Sequence, residues 1–330
     1  MGRPRLLFLH TGGTLGMTAA RPGPLSPGHY DETVLPYVPG LEEVADIDGR
    51  VVCNLDSSDM TPALWETLGE EIAAGMPSYD GFVVLHGTDT MAWTAAALSF
   101  MLRGLRKPVV VTGAQRPIAQ LRTDARSNMV HSTMCATLPI PEVGLYFGSH
   151  LLRGNRATKT SITAYDAFMS PDHPPLVTMG VDVQVGAHLP APTEPFRLAP
   201  GFCPDVSVLT PFPGMRPRLL QAAVDAGARA VVLRAFGDGN LPIAGWPGAV
   251  RAASDAGIAV IVTTQCTEGS VSPGRYANSA ALASAGAIFA GDLTDEAAVV
   301  KLMWLLGQGA DAARIRRVLL RPLAGECSTG

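Results

Sequence analysis

Charged and aromatic residues are both scarce in this chain of 330 residues. Asp, Glu, Lys and Arg make up 16% of it and Phe, Trp and Tyr 6%, whereas about a quarter of an average soluble domain is charged. With a net charge of -4, the chain has neither a basic stripe nor an aromatic stacking platform, which argues against a nucleic-acid partner. The low charge also predicts surface that is buried between subunits, and therefore a homo-oligomer.

A long hydrophobic run is missing as well. The first apolar run ends at Leu9 and no small-residue cleavage site follows it, so it fits neither a membrane span nor a signal peptide. No later run reaches the roughly 18 uninterrupted apolar residues that a transmembrane helix needs. We therefore predict no membrane segment and a cytoplasmic location.

Cysteine and histidine are too dispersed to indicate a disulfide framework or a metal site. The seven histidines form no His-Glu-x-x-His pattern and the cysteines form no Cys-x-x-Cys pair, so the spacings typical of zinc sites are absent. An odd number of scattered cysteines is also atypical of a disulfide scaffold. These cysteines are Cys53, Cys135, Cys203, Cys266 and Cys327. We expect no metal and no cofactor.

The length of the chain and a proline-rich stretch within it indicate two domains. Proline and alanine are frequent in the stretch 189–205. This composition predicts a linker between an N-terminal domain, 1–188, and a C-terminal domain, 206–330. Apolar runs alternate with helical patterns on both sides of this stretch, as they do in α/β folds. The sequence therefore predicts a larger N-terminal α/β domain with a mostly parallel sheet and flanking helices, and a smaller parallel α/β domain.

The end of the first strand predicts a ligand-binding turn. The apolar run Leu6–Leu9 leads into Thr11-Gly12-Gly13-Thr14, and ligands of open α/β sheets bind at the carboxyl ends of the strands. The glycines allow a sharp turn and the threonines supply hydroxyl groups. A plain turn with capping threonines is the alternative. Behind it, the Pro- and Gly-rich stretch 18–28 predicts a surface loop, which is either a lid or an inert excursion.

A second polar cluster follows the next strand. Residues 51–55 read as a strand that runs into Asp56-Ser57-Ser58-Asp59-Met60-Thr61, with a helix from about Pro62. These Ser and Asp residues either cap that helix or form a second strand-end loop that faces the same crevice.

Two more strands end in polar residues. The strand from Gly81 ends in His86-Gly87-Thr88-Asp89-Thr90. We expect the side chain of Thr88, Asp89 or Thr90 to cap the helix Met91–Leu102. The strand that begins at Pro108 ends in Thr112-Gly113-Ala114-Gln115. Hydroxyls, a carboxylate and backbone amides would thus gather at one edge of the sheet.

Lys159 stands out because the chain strongly prefers arginine. Only Lys107, Lys159 and Lys301 are lysines among the 25 basic residues. A buried lysine can lose its proton, whereas arginine stays charged, so Lys159 is a candidate amine base. The alternative is an ordinary surface lysine.

These segments together resemble the bacterial-type L-asparaginases, most of all their cytoplasmic type I branch. A Thr-Gly-Gly-Thr followed about 75 residues later by His-Gly-Thr-Asp-Thr is far more specific than either motif alone. The segments that carry the resemblance are Thr11–Met17, Ser57–Pro62, Tyr79–Phe82, His86–Ala92, Arg153–Lys159, Gly237–Asn240 and Thr264–Cys266.

The resemblance implies hydrolysis of the side-chain amide of L-asparagine through an acyl-enzyme. Thr14 would be the nucleophile, and the other catalytic residues would be Thr88, Asp89 and Lys159. Substrate contacts would come from Gly13, Ser57, Gly87, Thr88, Asp89 and Ala114. Asn240 would reach the site of a neighbouring subunit, which implies an intimate homodimer or a homotetramer.

Two further features of the family are a lid tyrosine and a regulatory site. Its members usually carry a lid tyrosine about ten residues after the nucleophile, but this chain has Pro24 in that region and its nearest tyrosine is Tyr30. Some type I relatives also bind asparagine at a regulatory site. Thr158, Arg234 and Cys266 fall on the corresponding positions, which makes them candidate allosteric residues.

Other activities compete with this interpretation. A glutaminase-asparaginase of broader specificity differs by one methylene, worth about 1–3 kcal/mol of discrimination, and an amidotransferase subunit would show a basic tRNA-binding extension. A dinucleotide-binding oxidoreductase lacks its complete Gly-x-Gly-x-x-Gly. A non-catalytic asparagine sensor is the last alternative, and it fits the missing lid tyrosine.

Overall fold

The computed structural model describes residues 2–13 and 35–328. It divides the chain into two compact units, Met1–Ala199 and Pro200–Gly330. The nucleophile predicted at Thr14, the loop at 18–28 and the residues Pro24 and Tyr30 all lie outside the described ranges.

The first unit is built on an eight-stranded sheet. The strands of this unit are β1 (Arg5–Gly12), β2 (Asp46–Leu55), β3 (Gly81–Leu85), β4 (Leu102–Arg103), β5 (Val109–Thr112), β6 (Val143–Phe147), β7 (His150–Arg153), β8 (Thr158–Lys159), β9 (Phe168–Met169), β10 (Val177–Met179), β11 (Val183–Val185) and β12 (Arg197–Leu198). The eight strands of the main sheet lie in the order β11-β10-β7-β6-β5-β3-β1-β2, and β4 pairs with β12 and β8 with β9 in two small additional sheets.

The centre of this sheet is parallel and fully buried. β1 pairs in parallel with β2 and β3, β3 with β5, and β5 with β6, whereas β7, β10 and β11 continue the sheet in antiparallel pairs. The apolar runs Leu6–Leu9, Phe82–Leu85 and Val109–Val111 are almost completely buried, because helices cover both faces of such a sheet. The prediction of a mostly parallel N-terminal sheet is confirmed.

Four helices accompany this sheet in the described part of the unit. They are α1 (Leu41–Val44), α2 (Pro62–Gly75), α3 (Met91–Met101) and α4 (Ala125–Cys135). Pro62 occupies the first turn of α2, where its missing N–H costs nothing. α3 is buried on nearly all sides, which agrees with its continuous apolar sequence.

The predicted side-chain cap of α3 is wrong. Thr90 holds the N-cap position without a capping hydrogen bond, because its hydroxyl donates to the Ser57 carbonyl oxygen at 2.6 Å instead. α2 also begins without a side-chain cap, at Thr61. Asp56 caps a different element, the short 3-10 turn Ser57–Asp59, through a hydrogen bond from the Ser58 N–H.

Several short strands were not predicted. β2 begins at Asp46 rather than at residue 51, because its polar first half lies at the edge of the sheet and pairs with Arg5–Leu9 on one side. The stretch 189–205, predicted as a linker, contains β12, which pairs with β4 in the first unit. Such short edge strands carry no periodic apolar pattern to reveal them.

The second unit contains a smaller, entirely parallel sheet of four strands. These are β13 (Val206–Leu209), β14 (Ala230–Ala235), β15 (Ala259–Thr264) and β16 (Ile288–Phe289), and they lie side by side in chain order. Its helices in the described residues are α5 (Arg218–Asp225), α6 (Trp246–Asp255), α7 (Ala277–Ser284), α8 (Asp295–Gly307) and α9 (Ala312–Val318). The predicted smaller parallel α/β domain is confirmed.

Within residues 2–13 and 35–328, none of the helices combines the length and the apolar composition that crossing a bilayer requires.

Candidate active site

Two glycine turns meet at the carboxyl edge of the first sheet. A Cβ atom on Gly13 would lie 2.5 Å from the Gly87 Cα, so the backbones after β1 and β3 can approach this closely only without side chains. Gly13 also has a φ of +84°. His10 supports its turn, since its Nδ1 accepts the Gly12 N–H at 3.1 Å, and burial lowers the pKa of His10.

Lys159 reaches the end of β3 from the short strand β8. Its Nζ donates to Thr88 Oγ1 at 2.8 Å and to Asp89 Oδ1 at 2.6 Å. The Lys159 side chain is 17% exposed and that of Asp89 64%. The ion pair therefore joins a mostly buried ammonium group to a mostly exposed carboxylate. Three side chains from positions about 70 residues apart are therefore brought into one cluster.

Ser57 approaches the same cluster from the loop after β2. Its Oγ accepts the Asp89 N–H at 3.2 Å, which leaves the hydroxyl hydrogen available to a ligand. A Cβ on Gly87 would lie 2.6 Å from this Oγ. Of the two alternatives for the Ser and Asp stretch, the structure thus agrees with the one in which the loop faces the crevice.

His86 lies beneath the cluster and is completely buried. Its Nδ1 bonds the Gly87 carbonyl oxygen at 2.7 Å and its Nε2 the Thr94 hydroxyl at 2.9 Å. Burial lowers the pKa of His86 to about 4, although the bond to the Gly87 carbonyl opposes the shift. A neutral ring donates from Nδ1 and accepts at Nε2, which matches both contacts.

Ala114 and Gln115 follow the third of these strands, β5, and Gln115, which is not among the predicted site residues, lies with its Oε1 at 3.5 Å from Thr88 Oγ1. Ala114 is buried. The backbone N–H groups of Gln115 and Arg116 donate to the two carboxylate oxygens of Asp124 at 2.9 and 3.0 Å. Gln115 could have been found, because it ends the third polar strand-end motif beside Thr88.

The other predicted site residues within the described ranges are Thr158, Asn240, Arg234 and Cys266. Thr158 precedes Lys159 in β8. The others belong to the second unit, where Asn240 exchanges two backbone hydrogen bonds with Phe236 and Cys266 is exposed. Arg234, at the end of β14, pairs with Asp295 through Nε and Oδ2 at 2.6 Å. Among the described residues, no three His, Cys, Asp or Glu side chains are grouped as a metal site would need.

Two family models match the chain, one in each of its halves. A model of the N-terminal asparaginase domain matches residues 5–191, and a model of the glutaminase/asparaginase C-terminal domain matches residues 205–319. The chain belongs to the asparaginase family. The resemblance inferred from the sequence motifs is thereby confirmed.

Relatives of this asparaginase family member match it over almost its whole length. L-asparaginase 1 of Escherichia coli K12 is 40% identical over 333 residues, which cover 99% of this chain and 98% of that protein. The solved structure of L-asparaginase I from Vibrio cholerae superposes with a TM-score of 0.92 at 37% identity, covering 99% and 100% of the two chains. The thermostable L-asparaginase from Thermococcus kodakarensis gives a TM-score of 0.94 at 32% identity, with the same coverage.

Proposed function

We propose that this asparaginase family member hydrolyses the side-chain amide of L-asparagine to L-aspartate and ammonia by a double displacement at a threonine. The observation that carries the proposal is the cluster of Lys159, Thr88 and Asp89. It places the Lys159 amine within hydrogen-bond distance of a hydroxyl and of a carboxylate, at the edge of the sheet where α/β enzymes bind their substrates.

The first displacement is assigned to Thr14. Its hydroxyl oxygen attacks the amide carbon, the carbon–nitrogen bond breaks and ammonia leaves with an added proton, so that an ester of Thr14 remains. Water then adds to the ester carbon, the bond to Thr14 breaks, and the hydroxyl regains a proton. The assignment of Thr14 follows from the family motif that continues Gly12 and Gly13.

Thr88 and Lys159 are proposed to move a proton during these steps. When its amine is unprotonated, Lys159 can accept the Thr88 hydroxyl proton over their 2.8 Å contact, so that Thr88 can take one from the attacking group. Asp89 orients Lys159 through one carboxylate oxygen. Since the Asp89 carboxylate is largely exposed, it can also bind the ammonium group of the substrate.

Substrate binding is proposed to use the surrounding turns. Ser57 accepts a hydrogen bond from Asp89 N–H and can donate its own hydrogen to the substrate α-carboxylate. The backbones of Gly13 and Gly87 and that of Ala114 line the same edge of the sheet. Their amides would stabilise the oxyanion, and losing one such donor typically costs about 2.7–4 kcal/mol.

We also propose that the protein forms a homo-oligomer. The Oδ1 atom of Asn240 is buried and forms no hydrogen bond with any described residue, which is costly unless an outside group satisfies it. We propose that Asn240 contacts substrate in a neighbouring subunit, and that Thr158, Arg234 and Cys266 form a regulatory asparagine site. The cytoplasm is the proposed location, from the sequence features alone.

Ammonia release from L-asparagine, L-glutamine and D-asparagine tests this function. Lys159→Arg keeps the positive charge but cannot supply a neutral amine, so we expect a loss of about 10²–10⁴-fold in kcat. Lys107→Arg is the matched control, because Lys107 Nζ binds only the Met76 and Tyr79 carbonyls among the described groups. Thr14→Ala distinguishes an enzyme from a sensor. An active Thr14→Ala or Lys159→Arg protein would refute the mechanism.

A further inference from the structure

The start of α4 holds the turn that follows β5. Asp124 occupies the N-cap position of α4 but forms no side-chain cap there. Its buried carboxylate accepts the N–H groups of Gln115 at 2.9 Å and Arg116 at 3.0 Å instead. The preceding Thr123 accepts the Ala125 N–H at 3.0 Å and donates to the Arg116 carbonyl oxygen at 3.0 Å. A carboxylate placed to begin one element is therefore used to hold another.

Asn128, one helical turn further along α4, holds the beginning of the same turn. Its side chain is completely buried, and its Nδ2 donates to the Gly113 carbonyl oxygen at 2.9 Å and to Asp124 Oδ2 at 3.3 Å. Its Oδ1 accepts the Gly148 N–H at 3.2 Å. Because a carbonyl only accepts and a backbone N–H only donates, these contacts fix the orientation of the amide. Both ends of the turn after β5 are thus bonded to α4.

These bonds fix the direction of the Ala114 carbonyl. In a trans peptide unit the C=O and N–H groups point in opposite directions, and the described residues contain no cis peptide bond. Since the Gln115 N–H points at Asp124, the Ala114 carbonyl points away from it. Ala114 is 1% exposed, and no described group donates a hydrogen bond to its carbonyl oxygen. Such a buried acceptor is costly unless a partner satisfies it.

This carbonyl lies beside the candidate active site. A Cβ atom on Gly113 would collide with the His86 carbonyl oxygen, so the turn after β5 lies directly against the end of β3. On the other side of Ala114, the Oε1 atom of Gln115 is 3.5 Å from the Thr88 hydroxyl oxygen. The Ala114 peptide group is therefore close to the cluster around Thr88.

We propose that Asp124 is a positioning residue that turns the Ala114 carbonyl toward the side-chain amide of the bound substrate. The inference rests on the proposed function, because it requires an amide in the site. The amide of asparagine presents N–H donors to a fixed carbonyl, whereas the β-carboxylate of the product aspartate presents only acceptors. The held turn thus favours the substrate over the product and helps the product to leave.

Asp124→Asn tests this role, because it removes one of the two acceptor oxygens and lets the Ala114 carbonyl turn. In a Thr14→Ala background, asparagine and aspartate can both be titrated by calorimetry at pH 7.5 without turnover. We expect the ratio of the Kd for aspartate to the Kd for asparagine to fall about two- to tenfold, the effect of one hydrogen bond. With Thr14 present, the ratio of the inhibition constant of aspartate to KM should fall likewise. A purely structural role would weaken both ligands equally and leave the ratio unchanged.

Asp292→Asn is the matched control. Asp292 belongs to the second unit, and its carboxylate also accepts a backbone N–H, that of Ser328 at 3.0 Å, so the ratio should stay as in the unchanged protein. Melting temperatures show whether each variant is folded. If Asp124→Asn does not fold, Thr123→Val decides, because it keeps the carboxylate and removes only the Thr123 hydroxyl. It should lower the ratio in the same direction, by about twofold.

The hydrolysis and the positioning role can fail separately. If the unchanged protein releases no ammonia from asparagine but Asp124→Asn still lowers the ratio of the two dissociation constants, the proposed function fails and the positioning role stands. If ammonia is released and the deciding variant leaves the ratio unchanged or raises it, the positioning role fails and the proposed function stands. An unchanged protein that binds neither amino acid overturns both.

Discussion

The buried histidine at the end of β3 makes the stability of this protein depend on pH. The pKa of His86 falls from its ordinary value of 6.5 to about 4 in the folded protein, because the ring is completely buried. In the unfolded chain the ring regains the ordinary value. Between the two pKa values the unfolded state binds more protons than the folded state, so stability falls as the pH falls through this window.

The size of the effect follows from the shift. One pKa unit corresponds to about 1.36 kcal/mol. At pH 5, which lies roughly 1.5 units below the unfolded pKa, His86 should therefore cost about 2 kcal/mol of the unfolding free energy that the protein has at pH 7.5. About 3 kcal/mol would be lost by pH 4, and the rest of the shift is expressed only below that pH.

His86→Gln removes the titrating group but keeps a side chain that can donate and accept. Urea unfolding at pH 7.5 and pH 5, followed by circular dichroism, gives the loss of unfolding free energy for each protein. Burial also lowers the pKa of His10, His131 and His173, so the unchanged protein should lose more than His86 alone accounts for. The prediction concerns the difference: the variant should lose about 2 kcal/mol less.

An exposed histidine supplies the control. His188 is exposed, and His188→Gln should lose as much stability between the two pH values as the unchanged protein does. If His86→Gln and the unchanged protein show the same pH dependence, the His86 ring is not held neutral by burial, and the reasoning from its contacts is wrong.

Two further predictions concern packing and a buried ion pair. Gly87→Ala places a methyl group 2.6 Å from Ser57 Oγ, so we expect a loss of about 1–3 kcal/mol in the free energy of unfolding and a loss of ammonia release. In the control Gly248→Ala the added methyl group has no heavy atom within 4 Å, and the free energy of unfolding should rise by about 0.5–1 kcal/mol. Lys301 is fully buried with Glu326 and donates to two backbone carbonyls. Lys301→Met should therefore cost about 3–5 kcal/mol in urea unfolding, and the double change Lys301→Met with Glu326→Gln should recover much of this; a double variant as unstable as the single one would contradict the assignment.

Most of the first sheet could be predicted from local sequence. The runs Leu6–Leu9, Phe82–Leu85 and Val109–Val111 are continuous and apolar, as strands covered on both faces must be, and each ends in glycine and hydroxyl residues. The helices after Pro62 and after Thr90 follow from an N-terminal proline and a long apolar segment. The short strands β7 to β12 could not be predicted, because their pairing depends on partners elsewhere in the chain.

The hydrogen bonds at the helix starts also escaped prediction. Local rules assign the cap of α3 to Thr88, Asp89 or Thr90. The residue at the N-cap position is Thr90, but its hydroxyl donates to the Ser57 carbonyl, which a loop after another strand supplies. Tertiary contacts override a local preference of about 1 kcal/mol in this way.

The sequence by itself determined the family, the two α/β units and the residue types available for chemistry, because these follow from periodicity and from the order of motifs along the chain. The tertiary structure alone decided which groups touch. It brought Lys159 to Thr88 and Asp89 and turned the Gln115 amide toward the same hydroxyl. Distances between residues far apart in the chain are set by how the strands pair and the turns close, and no local pattern encodes them.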